Sequence, residues 1–476
     1  MKHPKPIRPA KALIGGFNLF VAAVICLATA TAYCQVAQSG TVRSDDQTVL
    51  DQASLDGAPS QTADTSNLNS LNENAGSLQY TDSALTRAPF FFGVQTAGTW
   101  TSNLFNTLDN EKPESGAFID VAVPVGVHLS SQATNFGAYF REDTAFYPSY
   151  FNLNHTSETY TQQLDHQFSE RTKTSWSLAG GHVVTLGNYL SPVIGVGTGG
   201  VVFTPRSGGL EPLNDAATSY AITHQLSERD SIIASATAGW LNQSVSGQPV
   251  KGQPSSYEQA TGGGDIQWQH ALSNREIVGV DLTDAYIKGF SPVENSNFTA
   301  AKLTFSQTVT PHVTVTAGLG PLFVTSTQSG SPAANTLSYT ANAGIEYQTT
   351  YAHITGGYSR LYQAGYFAAA NIANEIYFRF DRPLTRRIYF TLDSQLMKIT
   401  TPTEATNAED YSQVGFSGRL ETHLTQTLVY YVSGSAFSQG SVTTDVGRSP
   451  GYRYSEVTSG FTCYFGNPFS RPSGVQ

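Results

Sequence analysis

Between residues 90 and 465 apolar and polar side chains alternate with a period of two, in run after run. Side chains on a strand point to opposite faces in turn, so every second residue shares a face. Ile119, Val121, Val123, Val125, Val127 and Leu129 form an apolar face, opposed by Asp120, Ala122, Pro124, Gly126 and His128. Ile376, Phe378 and Phe380 oppose Glu375, Tyr377, Arg379 and Asp381. Val414, Phe416, Gly418 and Leu420 oppose Gln413, Ser417, Arg419 and Glu421. These runs predict about 18 strands, with 16 as the nearest alternative count, and no long helix.

A short turn signature recurs between the runs. Leu226-Ser227-Glu228-Arg229, Leu272-Ser273-Asn274-Arg275, Leu384-Thr385-Arg386-Arg387 and Leu424-Thr425-Gln426-Thr427 each pair an apolar residue with Ser or Thr and two polar residues. Leu129-Ser130-Ser131-Gln132, Phe168-Ser169-Glu170-Arg171 and Val309-Thr310-Pro311-His312 share the pattern, and Tyr347-Gln348-Thr349-Thr350 follows it more loosely. A regular period of this kind is one supersecondary unit repeated. The unit here is a hairpin, with the signature between each even strand and the next odd one. Longer connections are expected at the opposite end, so both ends of the barrel region lie on the short-turn side.

The length and charge of the runs decide which solvent they meet. Each lasts roughly ten residues or more, enough for a tilted strand to cross a bilayer, whereas soluble strands average about five or six. Burying Glu375, Arg379 and Asp381 side by side in a sandwich core would cost several kcal/mol per unpaired ion. An apolar face in lipid and a polar face in water remove that conflict. Only a closed sheet can do this, because an open edge in hydrocarbon leaves backbone groups unpaired. The expected fold is therefore all-β, a transmembrane up-and-down antiparallel β-barrel. A propeller also repeats at about 40 residues, but its blades need four short strands per repeat rather than two long ones. Two features stand apart from the pattern. Asp284 shares the face of Val278, Val280 and Leu282, which requires a bulge or a place at the outer rim. Trp100, Tyr147, Trp176, Trp240, Tyr286 and Tyr389 lie near strand ends, where interfacial girdles form.

Composition adds compartment and organisation. Residues 1–32 read as a secretory signal, with Lys2, Lys5, Arg8 and Lys11 before an apolar run and Ala30-Thr31-Ala32 as the cleavage site. Residues 33–88 are polar, poor in large apolar residues, and read as a disordered periplasmic lead. The barrel is assigned to 89–466 and a tail to 467–476. The chain carries a net charge of −10, which excludes an electrostatic footprint for nucleic acid. Cys34 and Cys463 remain after the signal leaves; they are too few for a disulfide framework, and whether they pair is open.

The polar faces supply candidate pore-lining residues. They are Asp120, Arg141, Asp143, Asp281, Lys302 and Glu346 in the first part of the barrel. Glu375, Arg379, Asp381, Asp393, Arg419 and Glu421 follow in the second, with Glu456 in the last strand. Acids outnumber bases, which predicts a preference for cations or neutral solutes. The 187–215 connection is long and unusually apolar, and an exposed loop gains nothing from such residues. Val193, Ile194, Val196, Val201, Val202 and Phe203 are expected to enter the mouth as a constriction. The histidines near the short turns, His166, His224, His270, His312, His353 and His423, read as interfacial polar residues rather than metal ligands. No nucleophile elbow, zinc-protease motif or phosphate loop is present, so neither an enzyme nor a cofactor is expected.

The run of hairpins with Leu-Ser-Glu-Arg turns resembles the outer-membrane β-barrel porins of Gram-negative bacteria, in particular those associated with exopolysaccharide export and surface sorting. The likeness spans 90–465. The last strand, Thr458-Ser459-Gly460-Phe461-Thr462-Cys463-Tyr464-Phe465, resembles the C-terminal signal read by the barrel-insertion machinery. What the resemblance implies is a channel in the outer-membrane lipid for small hydrophilic solutes or a secreted polysaccharide, with exopolysaccharide-export components as partners. A structural or adhesive barrel with a blocked lumen is the alternative, and an outer-membrane hydrolase a further one.

Overall fold

The computed structural model describes residues 90–465, apart from 104–113, 132, 186–192, 196–197, 201–210, 245–255, 292, 329–332, 350, 365–369, 386, 401–409, 426, 445–446 and 450. The signal, the lead and the tail assigned from sequence lie outside the described residues. The strands in the first half are β1 (Phe90–Thr101), β2 (Gly116–Ser130), β3 (Thr134–Phe146), β4 (His155–Ser169), β5 (Thr172–Thr185), β6 (Val193–Gly195), β7 (Thr198–Gly200), β8 (Glu211–Gln225), β9 (Asp230–Ser244), β10 (Ser256–Ser273) and β11 (Glu276–Ser291). The second half continues with β12 (Val293–Thr310), β13 (Val313–Gln328), β14 (Ala334–Gln348), β15 (His353–Ala364), β16 (Ala370–Pro383), β17 (Ile388–Thr400), β18 (Asp410–His423), β19 (Leu428–Gln439), β20 (Val442–Thr444), β21 (Gly447–Ser449) and β22 (Tyr452–Phe465).

Eighteen of these form the wall; β6–β7 and β20–β21 are small hairpins in the long connections. Each wall strand pairs antiparallel with the next, and β22 returns to β1 from Phe92↔Phe465 to Thr101↔Glu456. The sheet is therefore a closed meander with no free edge around its girth, the one sheet topology that satisfies its backbone inside hydrocarbon.

The turn signature has a direct chemical cause. The Ser227 hydroxyl accepts the backbone N–H of Arg229 and of Asp230, at 3.1 and 3.0 Å. Thr385 does the same for Arg387 and Ile388, and Thr425 for Thr427 and Leu428. The short side chain replaces a ladder bond that the reversing chain cannot make. In two turns the acting hydroxyl stands one residue later, Ser131 toward Thr134 and Thr349 toward Tyr351 and Ala352.

Most strands extend further at the long-connection end than alternation predicts. β11 and β12 meet across residue 292, where no apolar–polar alternation marks a strand. The segment Glu294-Asn295-Ser296-Asn297 is polar on both faces, so it reads as loop, yet it pairs with Gly289, Lys288, Ile287 and Tyr286. A strand that projects beyond the bilayer needs no apolar face.

Ladders lapse where the chemistry requires it. Pro124 and Pro321 lack an N–H to donate, and the β1–β2 and β12–β13 registers skip beside them. Gly320 lies against the Ala301 carbonyl so closely that no Cβ fits. The β14–β15 ladder is short for another reason. It runs from Gln348↔His353 to Ala341↔Arg360 and stops, although both strands continue. There the side chains take over: the Arg360 Nε donates to the Tyr339 carbonyl at 3.2 Å and the Thr340 hydroxyl to the Arg360 carbonyl at 3.1 Å.

Candidate functional site

The two faces of the wall are chemically distinct. Leu282, Leu303, Leu319, Phe323, Ile345, Ile376 and Phe416 are large, apolar and more than half exposed. They share one face of the sheet on β11 to β14, β16 and β18, and Leu303 is opposite Leu319 in the register. A soluble protein does not display such a contiguous surface. On the other parity stand Arg141, Asp281, Glu375, Asp393, Arg419 and Glu456, all buried. A closed sheet with an oily exterior and a charged interior spans a membrane, and single-chain barrels of even strand number are the outer-membrane type. The chain is an outer-membrane β-barrel.

No family model and no curated protein matches the sequence. Among solved structures it is similar to the FrpB iron transporter from Neisseria meningitidis, F3-3 variant, at 9% identity and TM-score 0.43, covering 80% of this chain and 82% of that one. It is also similar to BauA, the ferric preacinetobactin receptor from Acinetobacter baumannii, at 10% identity and TM-score 0.43, covering 79% and 80%. OccK2 (OpdF) from Pseudomonas aeruginosa, in complex with glucuronate, matches at 11% and TM-score 0.40, covering 80% and 99%. These are distant likenesses; the barrel's own geometry decides the fold.

All the candidate pore-lining residues occupy the inner face, where they fall into three groups. The first lies on β2, β3 and β22. Arg141 grips Asp143 through two nitrogens, Nε at 2.7 Å and Nη2 at 2.6 Å. Asp120 accepts from the Thr99 hydroxyl at 3.4 Å, and Glu456 is opposite Thr101 on the closing ladder. The second lies on β10 to β12. Lys302 Nζ reaches Asp281 at 3.0 Å, Thr283 donates to the same carboxylate at 3.1 Å, and Ser235 donates to Asp265. The third runs along β14 to β18. Glu346 bonds His353 Nε2 at 3.0 Å, and His353 Nδ1 faces Asp381 at 3.8 Å. Arg379 joins Asp381 at 2.7 Å to Asp393 at 3.9 Å, and Arg419 meets Glu421 at 2.6 Å. Glu375 accepts from Gln395 at 2.7 Å and Ser359 at 3.1 Å.

A rule emerges from these pairs. Arg141/Asp143, Arg379/Asp381 and Arg419/Glu421 each stand two apart on one strand. That spacing puts both groups on one face about 6.6 Å apart along the strand, within reach of an arginine. Each inner arginine thus has a carboxylate beside it, and Asp120, Asp215, Asp265 and Glu375 add further acids to the inner face. Asp215 and Asp265 were absent from the sequence candidates. The alternation beside Ile266 and Trp268 would have placed Asp265; Asp215 falls in a stretch that reads as loop.

Several other expectations change. The β11 register passes Asp284 without a bulge, so its carboxylate faces outward. It accepts from Thr299 at 2.6 Å, two residues below Tyr286 on the same face, near the upper margin of the apolar band. Tyr147 and Tyr389 are not girdle residues. Tyr147 is buried with Phe118 and Leu153, and Tyr389 packs against His423 on the inner face. His166, His224 and His270 do hold the short-turn rim, bonding Thr134, Thr172 and Asp230 across neighbouring strands at 2.8, 2.9 and 2.9 Å. His353 instead belongs to the inner charge chain. Among the described residues no group of three His, Cys, Asp or Glu is arranged to hold a metal.

The 187–215 connection contains the β6–β7 hairpin. Its backbone lies near β8, β9 and β10 on one side and near β15 on the other, strands well separated around the wall. Of the constriction candidates, Val193 and Ile194 lie in β6; Val196, Val201, Val202 and Phe203 lie outside the described residues.

Proposed function

We propose that this barrel is a channel for small hydrophilic solutes that favours cations and neutral molecules over anions. The observation that carries the reading is the enclosed inner face, where arginines are matched one to one by carboxylates and further acids remain. A water-filled path lined this way repels anions. The β6–β7 hairpin serves as the constriction. The turn resemblance extends the cargo to a secreted polysaccharide, with export components as partners, and the Thr458–Phe465 strand serves as the insertion signal.

The test is conductance of the refolded barrel in planar bilayers under a KCl gradient. Discrete steps with a reversal potential of the sign for K⁺ preference are expected, and liposome swelling with sugars of increasing size bounds the cargo. A second reading, a barrel with a blocked lumen, is favoured by the near-complete burial of Arg141, Tyr431 and Tyr464 on the inner face. That reading predicts no steps at any voltage.

A further inference from the structure

The lipid face of the wall carries a basic row near its long-connection end. Arg360 is opposite Ala341 on β14 and Asn374 on β16, and Asn374 is opposite Lys398 on β17. The three residues therefore stand side by side on adjacent strands. Their parity is that of Ile345, Ile376 and Leu396, all exposed on the apolar exterior. Arg360 lies seven residues above the start of β15, and Lys398 ten above the start of β17. At about 3.3 Å per residue and a tilt near 40°, that climb is roughly 18 to 25 Å, the upper part of an apolar band about 25 Å tall. Long connections face the cell exterior, so the headgroups of the outer leaflet begin at this level.

Neighbouring groups hold the donors of this row in place. The Arg360 guanidinium stacks on the Tyr339 ring, 4.2 Å from its centroid. It donates from Nε to the Tyr339 carbonyl, from Nη1 to Asn374 and from Nη2 to Ser338. These bonds use three of its five N–H groups and fix its plane. Asn374 Oδ1 also accepts from the Tyr358 hydroxyl at 3.0 Å, which leaves the Asn374 amide nitrogen as a donor. Lys398 is exposed one strand further on. Strands lie about 4.8 Å apart, so Arg360 and Lys398 spring from points roughly 10 Å apart, and both side chains can reach one group between them. Acids mark other parts of this face. Glu142 on β3 is opposite Glu158 on β4, both exposed. Asp410 on β18 is one step nearer the mouth, opposite Thr400 rather than Lys398. The basic row is thus a local feature and not a ring around the rim.

We propose that Arg360, Asn374 and Lys398 bind the phosphate of a lipid headgroup in the outer leaflet. The phosphate lodges between the guanidinium and the ammonium and accepts from the Asn374 amide. A guanidinium already fixed by its neighbours loses little freedom when it takes a phosphate oxygen, and the charge-assisted bonds it makes are strong ones. The acyl chains of the same lipid run down over Ile376 and Leu396, which pair with each other one step below the row. A free phosphate makes no use of that apolar surface, so a lipid is the occupant that fits the whole of it. The sign of the charge selects anionic lipid for this sector, while Glu142 and Glu158 repel it from theirs. The inference stands on the outer-membrane placement of the barrel and is independent of whether its lumen conducts.

The experiment titrates the full refolded barrel, in neutral detergent micelles, with diphosphoryl lipid A and counts bound lipid by native mass spectrometry. The comparison ligands are the same lipid stripped of both phosphates, and inorganic phosphate alone. The parent should hold the phosphorylated lipid at least about tenfold more tightly than the stripped one. R360Q/K398Q should lose that preference. K288Q should keep it, because Lys288 is an exposed cation four strands away, stacked on Phe290. Arg360 also braces the edge of β14, so K398E serves as a second variant, its folding checked by heat-modifiable gel mobility. K398E should weaken binding of the phosphorylated lipid by about tenfold. Undiminished binding by either folded variant, or equal affinity of the parent for the stripped lipid, overturns the site. Inorganic phosphate that displaces the lipid at equal concentration overturns the headgroup as its occupant.

Discussion

Removing residues 190–205 raises the single-channel conductance of the refolded barrel at least about twofold, and weakens its discrimination by solute size. The β6–β7 hairpin lies near β8, β9 and β10 on one side and near β15 on the other, the placement that the proposed constriction requires. Its composition, alternating Gly with Val, Ile and Phe, suits a segment that packs inside a mouth rather than one that waves in water. The deletion joins two strands at the end where connections are longest, and loop closure there costs little. A deletion variant that folds, as judged by heat-modifiable gel mobility, and conducts like the parent would remove the hairpin from the permeation path.

Replacing Leu319 by Arg costs about 2–4 kcal/mol of folding stability in lipid, and much less for a residue at the rim. Leu319 is 61% exposed, lies six residues above the short-turn end of β13, and is flanked on its face by Ala317 and Pro321, with Phe323 beyond. A guanidinium there must be carried into hydrocarbon or bent out of it. The partner substitution is Asp284→Arg, at the upper margin of the apolar band, where the same charge should change stability by less than about 1 kcal/mol. Urea titration in bilayers reads both. Equal costs at the two sites would mean that the apolar parity is not the lipid face.

The fold was legible because the barrel writes itself locally. Alternation over β2, β16 and β18 gave strand identity and face, and the Ser or Thr of each turn marked the short-turn end. What escaped sequence reading was set by contacts between distant strands. Ile372 carries the outward parity of β16, and nothing in the local pattern says that it is buried against Leu322 and Val324. Tyr147 and Tyr389 look like girdle residues because aromatics near strand ends usually are, but each has the inner parity, which alternation from Arg141 and Asp393 would have revealed. His353 resembles the rim histidines in position, and only its pairing with Glu346 and Asp381 separates it. The extra length of β8 and β12 was hidden because those stretches carry no run of alternating apolar residues.

The most direct test is the accessibility of single spin labels placed one at a time along β13, from Val315 to Phe323, in the refolded barrel in lipid bilayers. Collisions with oxygen should be frequent at Val315, Ala317, Leu319 and Phe323, and rare at Thr316, Gly318 and Leu322. A period of two with those phases is what a barrel with lipid outside and water or polar side chains within requires. Oxygen accessibility that peaks instead at Thr316, Gly318 and Leu322, or that shows no alternation, would contradict it.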